Sequence, residues 1–207
     1  PGGAIRLNRR ITRIEAAPQG LTLTDATGAG LSAGQVVLST PLRIAAQDMA
    51  IPQAPAALLQ AMRATPTWMA GQAKAVILYD RPFWRDMGLS GRIASRHGPL
   101  GEVHDHSAAQ GQAALFGFVG WPAPSRDPAA LEAAIRAQLA RCFGAATPQP
   151  QRIHVQDWAR EPLICTAADH AGAHPDLPAP ILRQPHLDGR LRIAIAENAT
   201  QSPGLIA

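Results

Sequence analysis

Between residues 5 and 40 apolar and polar positions alternate with a period of two, broken by glycine and proline. The stretch "IRLNRRITRIEA" runs into "PQG", "LTLTDATG" alternates strictly, and "GAGLSAGQVVLST" stops at Pro41. Side chains along a strand point to opposite faces in turn, so this pattern predicts a meander of three short strands. Leu21, Leu23, Val36 and Leu38 fall on one core face, and Thr22 and Thr24 turn away from it. After Pro41 the alternation stops, and "IPQAPAALLQAMRATPTW" predicts a proline-bounded loop followed by a short helix over residues 55–63.

Two short apolar runs, "AKAVILYD" and "ALFGFVGW", predict buried strands, the first closed by the turn-like "DRPFW". The clearest helical period lies in "DPAALEAAIRAQLARCFG". Asp127 suits the N-cap, Pro128 the first helical position and Gly144 the position past the end. Leu131, Ile135, Leu139 and Cys142 are expected on its buried face. "QRIHVQDW" and "LRIAIA" complete the strands. Alternating strands and helices imply an α/β or α+β fold.

Composition narrows the function classes. With 207 residues, 46% apolar and 16% charged, the chain is too hydrophobic for a solvated coil and long enough for one large or two small domains. The net charge is +4, but the arginines are scattered and aromatic residues make up only 4%, which argues against a nucleic-acid surface. Two cysteines, Cys142 and Cys165, cannot form a disulfide framework, so a reducing, cytoplasmic compartment is expected. No apolar run approaches a membrane span. The chain starts at Pro1 and stops at "SPGLIA", and it is expected to be a piece of a longer protein.

The densest polar cluster is "GEVHDHS", with Glu102, His104, Asp105 and His106. Its two histidines share a strand face and suit a metal, but a site needs three or four converging ligands; a solvated strand end is the alternative, and no metal is expected. The chain has no GxSxG elbow, phosphate-binding glycine loop or HExxH. Cys165 is either a thiol beside Asp169 and His170 or a small buried side chain, the expected case. The sole lysine is Lys74; of the 19 basic side chains the other eighteen are arginine. At the start of an apolar strand it either snorkels its ammonium to water or is held among apolar neighbours beside a cofactor.

Three segments in order resemble the flavin-containing amine oxidase family, the FAD enzymes that include monoamine oxidases. They are "RITRIE" to "SAGQVVLSTP", "GQAKAVILYDRPFWRDMGLSG" and "DGRLRIAIAENATQSPGLIA". The first is similar to the meander that leaves the FAD domain, the second to a lysine-bearing strand with its Pro-Phe-Trp turn, and the third to the closing FAD motif. The family's GxGxxG strand-turn-helix is not in this stretch, so the resemblance is to a C-terminal portion.

That resemblance implies the tail of a FAD-binding domain over residues 1–43, a mixed-sheet substrate domain with helices over 44–186, and a returning strand with a FAD-contacting motif over 187–207. It implies that Lys74 holds a water against the reactive flavin nitrogen, and that Ile11 or Ile14 lies where the backbone meets the adenine side. Glu197, Gly204 and Leu205 match the closing motif, the last two at amides facing the flavin ring. Trp158 matches a substrate-side tryptophan, and Ala168 or a neighbour stands where monoamine oxidases carry a tyrosine. Ile195 and Ala196 replace the motif's Gly-Thr. Cys165 lies near but not at the position of covalent attachment, so FAD is expected non-covalently. The implied reaction moves hydride from an amine C–N bond to flavin, with reoxidation by oxygen to hydrogen peroxide. A desaturase- or protoporphyrinogen-oxidase-like flavoprotein is the alternative, and a non-catalytic domain of the same fold a further one. Surfaces that face FAD would be exposed in a fragment, so homodimerisation is expected.

Overall fold

The computed structural model describes residues 4–109, 111–171 and 177–201. In chain order the strands and helices begin with β1 (Ile11–Ala17), β2 (Gly20–Asp25), β3 (Gly30–Ala33), β4 (Val36–Leu38), α1 (Leu42–Asp48), α2 (Ala56–Ala64) and β5 (Ala73–Tyr79). They continue with α3 (Phe83–Asp86), β6 (Ile93–Ala94), β7 (Leu100–Asp105), β8 (Ala113–Val119), α4 (Pro128–Phe143), β9 (Arg152–Asp157) and β10 (Leu191–Ile193). The chain divides into two compact units, one of Pro1–Met69 with Pro162–Ala207 and one of Ala70–Glu161. Compactness therefore groups α1, α2 and residues 162–186 with the meander, and cuts the chain elsewhere than the family-derived boundaries at 43 and 186.

In the first unit β1, β2 and β3 form an antiparallel meander in that order. Gly20 at the β1–β2 turn has φ 150°, and a Cβ there would lie 2.4 Å from the Ala33 carbonyl oxygen, so the close approach of two strands excludes any side chain. The single strand expected over "GAGLSAGQVVLST" is two. β3 pairs with β2, whereas β4 pairs in parallel with β10 near the other end of the chain. One alternating run thus serves two sheets, which local periodicity cannot reveal. The predicted 55–63 helix is α2, while α1 lies between Pro41 and Ile51, where the pattern assigns no element. α1 lacks a side-chain cap, and Leu42, Ile44 and Ala45 are buried, so packing supports this short helix more than propensity does. Ile14, Leu21, Leu38, Leu42, Leu58, Met62, Leu182 and Leu191 form the shared core.

The second unit is a five-stranded sheet in the order β6-β7-β8-β5-β9, with every pairing antiparallel. Among the described residues, the strands that pair in parallel are β4 and β10, and an isolated parallel bridge joins Arg13 to Ala50. Ala73, Ala75, Ile77 and Tyr79 of β5 join Val103, Leu115 and Val119 in one core with Leu131, Ile135, Leu139 and Phe143 of α4. Each fully buried Leu or Ile contributes about 1.5–3 kcal/mol. Asp127 caps α4 by accepting from the Ala130 amide at 2.9 Å, with Pro128 at the first turn. Gln138, fully buried, takes part in the sheet itself. Its Oε1 accepts from the Leu100 amide at 2.8 Å and its Nε2 donates to the Leu100 carbonyl at 2.7 Å.

Cys142 does not belong to the core and is exposed. The buried stripe of α4 advances by four residues, so it turns about 40° per step around the axis and reaches Phe143 in the last turn. There the larger ring joins Phe83 at 5.3 Å and Trp84 at 6.4 Å between centroids. "DRPFW" is a turn of helix, α3, that buries both Phe83 and Trp84. Tyr79 packs edge-on against both, but its buried hydroxyl finds no hydrogen-bond partner among the described residues, and burial pushes its pKa up to about 12. Tyr79→Phe should therefore leave stability unchanged or raise it by up to about 1 kcal/mol in urea denaturation, because the lost hydroxyl had been desolvated without compensation. A loss above that would reveal a partner for the hydroxyl.

Candidate functional site

Strand β5 presents two different faces. Ala73, Ala75, Ile77 and Tyr79 are buried beneath α4, whereas Lys74, Val76 and Leu78 occupy the opposite, half-buried face. Register places Lys74 directly opposite Phe118 of β8 and Gln156 of β9, and Val76 opposite Phe116 and His154. On β7, Glu102 faces Phe118 and His104 faces Phe116. This face thus has an apolar centre of Val76, Leu78, Phe116 and Phe118, bordered by Glu102, His104, His154 and Gln156. The Phe116 and Phe118 rings meet edge to face at 5.1 Å. Lys74 Nζ lies 5.7 Å from the Phe118 ring centroid, within cation–π range. The ammonium is held over an aromatic ring on a mostly apolar face instead of at a free strand end.

The "GEVHDHS" cluster divides between the two faces. His104 Nε2 is 3.5 Å from Glu102 Oε2. Asp105 accepts from Trp84 Nε1 at 2.8 Å, Arg85 Nε at 2.8 Å and the Ser107 amide at 2.9 Å. Burial alone would raise the Asp105 pKa, but these donors outweigh it and hold the carboxyl at about 2. Among the described residues no group of three or more His, Cys, Asp or Glu converges for a metal ion. Trp158 follows β9 directly, at the start of a single helical turn over Trp158–Arg160. Its amide donates to the Gln72 carbonyl at 3.0 Å, which extends the β5–β9 ladder to two residues before Lys74.

In the first unit, a groove of 710 Å³ has Ile11, Ile14, Leu23, Val36 and Leu38 on its walls and Arg6, Arg9 and Arg10 at its margin. Ile11 and Ile14 border the same space, so the choice between them stays open. Arg9 pairs with Asp25 and Arg10 with Asp48, each at 2.5 Å. The Thr27 hydroxyl and the Arg9 guanidinium hold Asp25 well below the usual carboxylate range. An apolar cleft with cations at its edge suits a planar base carrying phosphates, so the residues present fit a dinucleotide.

Glu197 lies in a single turn over Ala196–Asn198, where its Oε1 accepts from the Trp68 amide at 3.0 Å. The next residue, Asn198, donates from Nδ2 to the Leu182 carbonyl at 3.0 Å. Ala168 is exposed in a short turn over Ala167–Asp169. Gly204 and Leu205 lie outside the described residues. Cys165 is buried, with Sγ 3.3 Å from the Thr166 carbonyl. Its neighbour Asp169 is engaged by other donors. One Asp169 oxygen accepts from Arg43 Nη1 at 2.5 Å and the Thr67 amide at 3.0 Å, and the other from the Thr166 amide at 2.9 Å and hydroxyl at 2.6 Å. Burial pulls the Asp169 pKa up, but the Thr166 and Thr67 donors and Arg43 bring it below the ordinary value. Thr166-x-x-Asp169 matches the capping-box spacing and is the local signal that would have marked this carboxylate.

The family described as flavin containing amine oxidoreductase matches residues 1–207. A Mycobacterium tuberculosis protein named as a flavin-containing monoamine oxidase, AofH, is 33% identical over 144 residues, which cover 69% of this chain. The match spans 30% of that relative's length. Among solved structures, cyclohexylamine oxidase from Brevibacterium oxydans superposes with a TM-score of 0.73 at 23% identity, covering 96% of this chain and 44% of that one. Putrescine oxidase bound to putrescine gives a TM-score of 0.74 at 20% identity, covering 95% of this chain and 44% of that one. At such identities the structures speak for the α/β fold alone, but the family match runs from one end of the sequence to the other: the chain belongs to the flavin-containing amine oxidoreductases.

Proposed function

We propose that this chain is the substrate-facing and cofactor-closing part of a FAD-dependent oxidoreductase that oxidises an amine C–N bond, with oxygen reduced to hydrogen peroxide. The observation that carries this reading is the placement of the chain's only lysine, half-buried on the open aromatic face of an antiparallel sheet, in a member of this family. Flavin, when bound, supplies the two-electron acceptor for such chemistry.

The protein's own groups supply binding and electrostatics. Ile11, Ile14 and the neighbouring aliphatics offer the apolar wall for the adenine side, with Arg6, Arg9 and Arg10 near enough to the margin to offset phosphate charge. Gly204 and Leu205 would add amides toward the ring. Non-covalent binding agrees with the burial of Cys165. Lys74 has three ammonium donors; with its Nζ over the Phe118 ring, one of them would be available to hold a water. The same positive charge disfavours a protonated amine next to it, so the substrate is taken as the neutral amine with its hydrocarbon part against Phe116, Phe118 and Trp158. The first unit is read as the cofactor part and the second as the substrate part.

Exposed Ala168, where an aromatic residue is expected, favours the second reading, a desaturase- or protoporphyrinogen-oxidase-like flavoprotein acting on a bulkier substrate. The complete gene product separates these. Flavin absorbance in the purified protein, together with peroxide formed on adding a primary or secondary amine, is the expected result. A colourless protein would remove the flavoenzyme reading, and a yellow protein that makes no peroxide with any amine would transfer support to the second.

A further inference from the structure

Among the described residues, Arg126 is the only buried arginine, 4% exposed and well away in sequence from the strand that carries Lys74. Its guanidinium bridges two segments. Nε donates to the Trp121 carbonyl at 2.7 Å in the segment after β8, and Nη1 donates to Asp157 Oδ1 at 2.9 Å at the end of β9. Asp157, whose side chain is 9% exposed, uses the same oxygen to accept from the Ala159 amide at 3.2 Å, which caps the helical turn that begins with Trp158. At the other end of that turn, Arg160 Nη2 donates to the Arg126 carbonyl at 2.6 Å, and Arg160 Nε lies 3.6 Å from Asp157 Oδ2. One arginine therefore secures both the start and the finish of a three-residue turn, and Trp158 is its first residue.

We propose that Arg126 is a positioning residue for Trp158, fixing through Asp157 the turn that sets the indole at the edge of the Lys74 face. The assignment rests on the reading of Trp158 as a substrate-side wall. A buried ion pair of this kind adds little net stability compared with an apolar replacement, and its use is to fix one geometry. The fork of a guanidinium is needed, because a lysine ammonium is a single point charge and cannot reach the Trp121 carbonyl and Asp157 in the same two directions. If Arg126 is lost, Asp157 keeps only the longer, more exposed ion pair with Arg160, the cap loosens and Trp158 moves. A displacement of that kind near the reacting centre lowers kcat/KM by about 10- to 100-fold.

The test is 19F NMR of the complete gene product labelled with 5-fluorotryptophan, its resonances assigned by single Trp→Phe variants. In Arg126→Lys the Trp158 and Trp121 signals are expected to shift or broaden, while Trp84 in the core of the same unit stays in place. Asp157→Asn keeps an acceptor for the Ala159 amide but removes the charge, and it should reproduce the Trp158 change. An unmoved Trp158 signal in either variant, with Trp84 still at its native position, overturns the proposal. Loss of the native Trp84 signal in both variants also overturns it, since Arg126 would then be holding the fold and not the turn. Amine titration of the unmodified protein tests the underlying reading separately: no response of Trp158 to any amine would remove its substrate-side role, and leave the positioning by Arg126 to be decided by the two variants.

Discussion

Replacing Asp169 by alanine should lower the stability of the first unit by about 3–5 kcal/mol, a large fraction of what a domain of this size possesses. The side chain is fully buried and satisfies donors from three separated stretches of chain: Arg43, Thr67, and the Thr166 amide and hydroxyl. Alanine leaves Arg43 Nη1 and two backbone amides without that acceptor, though Arg43 Nε keeps the Arg63 carbonyl, and an unmet buried donor costs more than a made hydrogen bond contributes. Urea denaturation measures the loss, and hydrogen exchange at the Thr67 and Thr166 amides locates it. Full protection of both amides in the variant would sink the account. The pH dependence has a definite sign. Because the folded pKa of Asp169 lies below its ordinary 3.8, its contribution is complete above that value and is lost as pH falls through the lower, folded one. Asp169→Asn should flatten the acid limb of the stability curve below about pH 4 and leave neutral pH to report only the weaker hydrogen bonds.

Lys74→Met should slow peroxide formation by about 100-fold, a loss of the size seen when one preorganised donor to developing negative charge is removed. Methionine keeps length and apolar packing over Phe118 while removing the charge and its donors. In the proposed reaction oxygen gains negative charge as it is reduced, and the ammonium with any water it holds would act there. Loss of hydride by a neutral amine would leave a cationic iminium and an acceptor that gains negative charge, so a neighbouring cation would have opposing effects on that step. Anaerobic bleaching of the flavin band by amine should accordingly change by less than about threefold, within the range of small packing adjustments. Equal slowing of both half-reactions would dissolve the role assigned to Lys74. Phe118→Leu in the same assay should have the intermediate effect expected of losing about 0.5–2 kcal/mol of cation–π attraction.

Residues whose environment is local were legible before any coordinates. Asp127, Pro128 and Gly144 bound α4 because caps depend on a few neighbours, and Leu21 and Leu23 face the core because strand alternation has a period of two. Lys74 stood out by composition, and its face followed from alternation along β5. What could not be read locally was decided by partners distant in sequence. Leu38 lies in a strand whose partner, Ile193, comes more than a hundred residues later, so β3 and β4 looked like one element. α1 is held by burial and not by a cap, and Cys142 yields to Phe143 because an aromatic cluster from another segment lies there. The polar ties behave in the same way. Arg126 and Asp157 look like ordinary surface charges until the fold brings the ends of β8 and β9 together. Lys74 was conspicuous as the sole lysine, but the rings beside it, Phe116 and Phe118, lie on β8 and become its neighbours only through strand pairing, while Phe83 and Trp84 of the turn after β5 belong to the core.

The parallel pairing of Val36 with Leu191 has a consequence in time. A ribosome adding about 5–20 residues per second needs on the order of ten seconds to pass from one partner to the other. During that interval β4 has left the exit tunnel with its parallel edge unfilled, while Ala70–Glu161, contiguous in the chain, emerges whole and can collapse on its own. The nascent molecule therefore spends several seconds with a finished Lys74 sheet and an unfinished neighbour, and a chaperone that shields Val37 and the aliphatic groove would act in that window.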